Sequence, residues 1–235
     1  MVFPQLHRAQ LSILRTLRHT TDARYTDLRA PTGLDSDVFK FHLRKLVHEG
    51  YVQQRPSGTY ALTPRGKEHA NNLDKTQRTV QKQPKLSMIL MASRERNGAT
   101  EYLFQQRLRN PFYGFWGLLS GPVHWGEAIE TAAAHELQKQ TGLVADGAVK
   151  GFCRTVDVNL GQEEILEDKL FALVELQNIT GALQTDWVHG TNRWMTVEEL
   201  EHAPHYFPST SKHIDMVLRG RPYGTLTNAY GVDEY

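Results

Sequence analysis

Glu136, Lys139 and Gln140 stand at positions i, i+3 and i+4 of the stretch HELQKQTGL, a spacing that puts three side chains on one face of a helix. Three carboxylates so placed could converge on a hard cation such as magnesium. Only the first of the three is a carboxylate. An ammonium at 139 repels a divalent cation, and an amide at 140 offers it a single neutral oxygen. Glu136 and Lys139 can instead pair along the helix surface, a contact worth only about 0.2–0.5 kcal/mol. The ammonium can also take over part of the missing cation's charge and hold a ligand phosphate without activating water.

Other ligating types lie near. Glu127 precedes the triplet, and Glu163, Glu164, Glu167 and Asp168 form an acidic stretch expected as a solvated loop that could overhang a sheet. His124 and His135 could bind a softer metal, although single histidines more often serve as polar surface or hydrogen-bonded groups. Phe112, Tyr113, Phe115 and Trp116 could stack on a nucleobase, with core packing the expectation for at least two of them. In the first part of the chain Ser36, Lys40, Arg44 and Lys45 fall largely off an apolar stripe, and their chemistry suits base edges and phosphates.

The elements that position these residues can be read from period and punctuation. Leu6, Ala9, Ile13 and Leu17 form one helical stripe, and a short helix is expected from an N-cap at Thr26 to Pro31 and Gly33. Asp35 can cap a third helix, with Phe39, Leu43, Leu46 and Val47 inward and Gly50 as its stop. YVQQRPSGTYAL reads as two short strands around a turn, and TPRGKEHA as a further helix with Pro64 in its first turn. Residues 1–73 form one expected domain, the polar segment 74–85 a linker, and 86–235 a second domain. In that second domain LSMILMA, EYLFQQRL, VKGFCRTVDV and DKLFALVEL are strand-like, while NPFYGFWGLLSGPVHWGE reads as a glycine- and aromatic-rich loop. Helices are expected at 127–140, TVEELEHA and SKHIDMVLRG, giving an α+β chain of two domains.

Composition narrows the partners. The chain has 235 residues, 40% hydrophobic and 23% charged, and its N-terminal stretch holds no unbroken apolar run, so neither a signal peptide nor a membrane span is expected. The single Cys153 excludes an intrachain disulfide framework, and a reducing cytoplasm is the expected location. The net charge of +1 conceals a split: 15 Lys/Arg against 7 Asp/Glu in residues 1–85, and 12 against 19 in 86–235. A basic end fused to an acidic one points to a polyanion as partner of the first half.

The order helix, helix, helix, hairpin, helix, with Gly33-Leu34, His42-Leu43, Lys45-Leu46, Glu49-Gly50 and Val52, resembles the winged helix-turn-helix of bacterial regulators. The resemblance implies double-stranded DNA as partner, the Asp35–Glu49 helix in the major groove, the Arg55–Thr59 hairpin near the backbone, and a homodimer on two half-sites. Ser36, Lys40, Arg44, Lys45 and Arg55 are its candidate DNA contacts. In the second domain Gly121, Glu127, His135-Glu136-Leu137 and Gly142-Leu143, preceded by Trp116-Gly117-Leu118, resemble the Nudix box. Six of its nine fixed positions are kept, and His135, Lys139 and Gln140 depart from it.

The Nudix resemblance implies a mixed β-sheet/α sandwich over roughly residues 85–219, with Glu136 and Glu127 as catalytic groups only if the chain is a hydrolase. It also implies Arg107 as a phosphate contact, beside Phe112, Trp116 and Lys139 as candidate ligand-binding residues. Magnesium is expected only in the hydrolase case, and no metal site otherwise beyond the residual Glu136. The reading these features support is a transcription regulator whose degenerate Nudix domain senses a nucleotide-like or phosphorylated metabolite. The alternatives are a Nudix hydrolase of nucleoside diphosphate derivatives and a module that only binds proteins.

Overall fold

A computed structural model describes residues 6–71, 83–161, 164–231 and 233–235. The chain divides into two compact units, 1–82 and 83–235. Most of the expected linker 74–85 lies outside the described residues, as does Glu163; Lys85 already opens a strand.

Unit 1 holds α1 (Arg8–Arg18), α2 (Tyr25–Arg29), a short 3-10 turn (Ala30–Thr32), α3 (Ser36–His48), β1 (Val52–Gln54), β2 (Tyr60–Leu62) and α4 (Pro64–Asn71). The apolar stripes do what their period demands: Ile13, Leu14 and Leu17 of α1, Leu28 of α2, and Phe39, Leu43 and Leu46 of α3 bury one another. Two expectations are corrected. Arg24, not Thr26, precedes the first turn of α2, where Asp27 bonds back to its backbone. Val47 lies on the rim of the α3 stripe and is partly exposed. Asp35 caps α3 as expected, its Oδ1 accepting from Asp37 N at 3.0 Å and Val38 N at 2.9 Å. The β1–β2 hairpin is tied back to the helices by Ala23, which bridges to Tyr60, and by Thr59 Oγ1 on Asp22 at 2.7 Å.

Unit 2 comprises β3 (Lys85–Arg96), β4 (Ala99–Arg107), β5 (Trp116–Pro122), α5 (Ile129–Thr141), β6 (Val144–Asn159), β7 (Ile165–Thr180), β8 (Asp186–Trp187), β9 (Gly190–Met195), α6 (Val197–Glu201), α7 (Ser209–Leu218) and β10 (Tyr223–Tyr230). The strands form one mixed sheet in the order β10-β6-β7-β3-β5-β4-β9-β8, with β3–β7 and β10–β6 parallel. Alternate residues serve the two faces. Met88, Leu90 and Leu119 pack with Ala133 and Leu137 of α5, while Ile89, Met91 and Leu118 pack with Ile214 and Met216 of α7.

Three readings change here. Residues 116–122, expected as loop, are strand β5, because Leu118 and Leu119 have a core to fill on either face. Glu167 lies in β7 rather than in an overhanging loop, and Asp168 in the strand expected from DKLFALVEL, each held by a cation: Glu167 by Lys169 at 3.1 Å, Asp168 by Arg154 at 2.8 Å. Glu127 precedes α5 instead of opening it, since the helix begins at Ile129 after an extended Ala128.

Candidate functional site

The triplet of α5 is on one face, as its spacing requires, with Glu136 and Gln140 buried and Lys139 exposed. Glu136 is 5% exposed and Gln140 2%. Glu136 Oε1 accepts from Lys139 Nζ at 2.9 Å, and its Oε2 accepts from Gln140 Nε2 at 2.8 Å. Gln140 Nε2 also donates to Ser120 O at 3.0 Å, while its Oε1 accepts from Gln105 Nε2 at 3.2 Å. Gln105 donates as well to Asn192 Oδ1 at 2.9 Å, and Asn192 Nδ2 returns to Gln140 O at 2.8 Å. A chain of amides thus runs from α5 through β4 to β9, satisfying polar groups that burial would otherwise penalise.

The packing beneath this carboxylate is close. A Cβ at Gly121 would meet Glu136 Cγ at 2.7 Å, which explains a glycine where the strand passes under the helix. Glu127, ahead of α5, accepts or shares a proton with His135 Nδ1 at 2.8 Å. The residues therefore do not suit a magnesium ion: the one buried carboxylate already serves an ammonium and an amide, and the second serves an imidazole. Among the described residues no group of three or more His, Cys, Asp or Glu could hold a metal.

The other sheet face, beside α7, holds a pocket lined by Arg107, Phe112, Thr155, Asp157, Lys169, His213, Asn228 and Tyr230, among others. Arg107 Nε donates to Pro111 O at 3.1 Å and so braces the loop before β5. Burial and the neighbouring Arg109 lower its pKa, the signature of a guanidinium kept partly out of water with little compensating charge. Phe112 adopts a left-handed backbone, φ 65°, that turns its ring inward, 4.6 Å from Tyr230 and 5.2 Å from Phe207. Burial raises Asp157, partly opposed by Asn228 Nδ2, which donates to its Oδ1 at 2.8 Å. Burial likewise pushes His213 down to about 4, so the imidazole is neutral there. The hydroxyl of Tyr230 is buried, with no hydrogen-bond partner among the described residues. The cavity volume is about 70 Å³, bordered by the rings of Phe112, Phe207 and Tyr230.

The structure thus divides the four candidate ligand residues. Arg107 and Phe112 meet in the pocket; Lys139 lies on the α5 face, 60% exposed at its side chain. Trp116 packs half-buried into the α7-side core, its backbone bonded to His205 and Phe207. Sequence reasoning missed Thr155, Asp157, Asn228 and Tyr230. A signal was present in C-x-T-x-D-x-N at 153–159, where alternation puts three polar side chains on one buried strand face.

In unit 1, Ser36, Lys40 and Arg44 line one groove with Tyr25, Gln54 and Tyr60. Tyr25 Oη donates to Ser36 O at 2.9 Å, which ties α2 to the start of α3. Lys45 leans toward Glu49 at 3.8 Å, and Arg55 lines a separate depression beside α1 and α4.

The NUDIX domain family matches residues 84–215, more than half of the chain. The chain belongs to the Nudix family. Among solved structures, the Nudix fold recurs in a MutT protein from Bacillus halodurans, 18% identical, covering 64% of this chain and 93% of that one with a TM-score of 0.50. Also similar are the NUDIX domain of Shewanella oneidensis NrtR complexed with ADP ribose (18% identity, 66% and 95% coverage, TM-score 0.48) and a MutT NUDIX hydrolase from Burkholderia pseudomallei (21%, 58% and 99%, 0.45). These likenesses concern the fold of the Nudix unit. Among the described residues no helix is long and apolar enough to cross a membrane.

Proposed function

We propose that the chain is a cytoplasmic transcription regulator: unit 1 a winged helix-turn-helix that binds double-stranded DNA as a homodimer, unit 2 a Nudix domain that senses a nucleotide-like or phosphorylated metabolite. The observation that carries this reading is the buried Glu136, whose two carboxylate oxygens already accept from Lys139 and Gln140. A domain that keeps the Nudix helix while spending its carboxylate internally is suited to holding a ligand rather than hydrolysing it. Support for DNA comes from α3, whose cap and buried stripe leave Ser36, Lys40 and Arg44 along one groove beside the hairpin. Arg107, desolvated at the pocket mouth, suits an anionic group of the metabolite. A guest that contacts the rings of Phe112 and Tyr230 can bias two conformations unequally.

The test has two arms. Labelled upstream DNA should shift in a mobility assay with an affinity that falls steeply with salt; absent or salt-independent binding would sink the DNA half. In a thermal-shift screen of nucleotides, ADP-ribose and phosphosugars, a ligand should stabilise the protein equally with and without magnesium. The competing reading, a hydrolase of nucleoside diphosphate derivatives with an altered metal site, follows from family membership. Strict metal dependence together with release of nucleoside monophosphate, abolished by Glu136→Gln, would establish it instead.

A further inference from the structure

β10 ends the sheet and lies beyond the residues matched by the family, 84–215. Its parallel ladder to β6 runs from Tyr223↔Phe152 to Tyr230↔Asn159 without a register shift. Two hydrogen bonds fix its phase: Phe152 N donates to Pro222 O at 2.9 Å, and Leu160 N to Tyr230 O at 2.8 Å. Even-numbered residues therefore present their backbone to β6, because backbone groups alternate sides along a strand. The N–H and C=O groups of Tyr223, Thr225, Thr227 and Ala229 point away from the sheet, and among the described residues no strand pairs with them.

Such an edge invites another strand unless something blocks it: a charge, a proline, a bulge or shortness. Residues 223–230 contain no charged residue and no proline, the ladder has no bulge, and the strand is 8 residues long. Thr225, Thr227 and Ala229 are exposed on the sheet face opposite α7 as well.

We propose that this edge pairs antiparallel with the same edge of a second copy of the chain, about a two-fold axis at Leu226. The phase of the strand selects that register. With Leu226 opposite its own copy, Thr225 meets Thr227 of the second copy and Tyr223 meets Ala229, so every outward N–H and C=O of both strands finds a partner. A shift of two residues along the edge leaves the groups of Tyr223 or of Ala229 bare. A shift of one sets the exposed face of one copy against the α7 face of the other. Side chains agree with this choice: threonine faces threonine, and the large Tyr223 ring, 60% exposed, covers the small Ala229. Charge agrees too. Arg221 precedes the strand, Arg219 being paired with Asp215, and Asp233 and Glu234 follow it, so antiparallel pairing brings Arg221 of each copy to the acidic end of the other. The inference rests on this edge alone and stands whether or not the chain binds DNA.

Sedimentation equilibrium of the full chain tests it. The wild type should have twice the monomer mass at micromolar concentration. Thr225→Lys/Thr227→Lys sets lysines against lysines across the axis and should weaken self-association at least about tenfold; Thr225→Glu/Thr227→Glu should do the same. Mixing the two variants should restore a heterodimer, and Thr225→Ala/Thr227→Ala, which keeps every backbone group, should stay dimeric. A monomeric wild type, a dimer that survives the lysine pair, or variants that fail to associate on mixing would each overturn the proposal. Circular dichroism of the variants confirms that the sheet is intact.

Discussion

α3 and α5 are both 13 residues long, and they treat their polar side chains in opposite ways. α3 is capped by Asp35, buries Phe39, Leu43 and Leu46, and keeps Lys40 and Arg44 in water, where among the described residues neither forms an ion pair. α5 has no side-chain cap and buries Glu136, Gln140 and Thr141, whose polar atoms bond to one another and to neighbouring strands. A surface that meets a partner keeps its charge unspent until the partner arrives. A surface whose charges already satisfy one another offers a partner little, because each new contact must replace an existing one.

Three experiments break or sharpen that contrast. The largest effect is expected from Lys40→Glu combined with Arg44→Glu. DNA affinity at low salt should fall at least about 100-fold, near 3 kcal/mol, while helix content stays the same. Unchanged affinity would reduce the α3 cations to solvating charge. Next comes Gly121→Ala, which drives a Cβ to within 2.7 Å of Glu136 Cγ. Chemical denaturation should report a loss of about 1–3 kcal/mol confined to the transition of unit 2, and an unaffected midpoint would mean that α5 is more loosely seated than described. The smallest effect belongs to Lys139→Glu. The broken ion pair costs little, since its lysine side chain is 60% exposed, and a weak stabilisation by added magnesium should appear where the wild type shows none. No gain at all would count against the α5 face as a preserved metal scaffold.

Both helices were readable in advance because each has its own punctuation: Asp35 and Gly50 bracket α3, and Gly142, at φ 73°, stops α5. What reading along the chain could not supply was closure across it. Glu167 read as loop because acidic residues argue against a strand, and the neighbouring Lys169 together with Lys85, distant in sequence, makes a strand tolerable there. β5 was hidden by its glycines, which reflect close passage under α5 and against Phe207 rather than a turn. The pocket draws on β4, β6, β7, α7 and β10, so no single stretch announces it. The triplet was legible as a spacing, yet the burial of Gln140 follows from Gln105 and Asn192, two amides that carry no motif.

The amide of Gln140 sets a direction on what this lineage can become. Both of its N–H groups are committed, one to the carbonyl of Ser120 and one to the carboxylate of Glu136. A carboxylate at 140 would turn two donors into two acceptors and aim them at a carbonyl and an anion, with Gln105 alone left to answer. Reversion at 140 is therefore penalised while Lys139 stands, and reversion at 139 alone restores only part of a cation's coordination. Full coordination of a metal would need both positions changed together, while glutamate at 139 alone gives only a weak site. The exchange of donors for acceptors works as a ratchet.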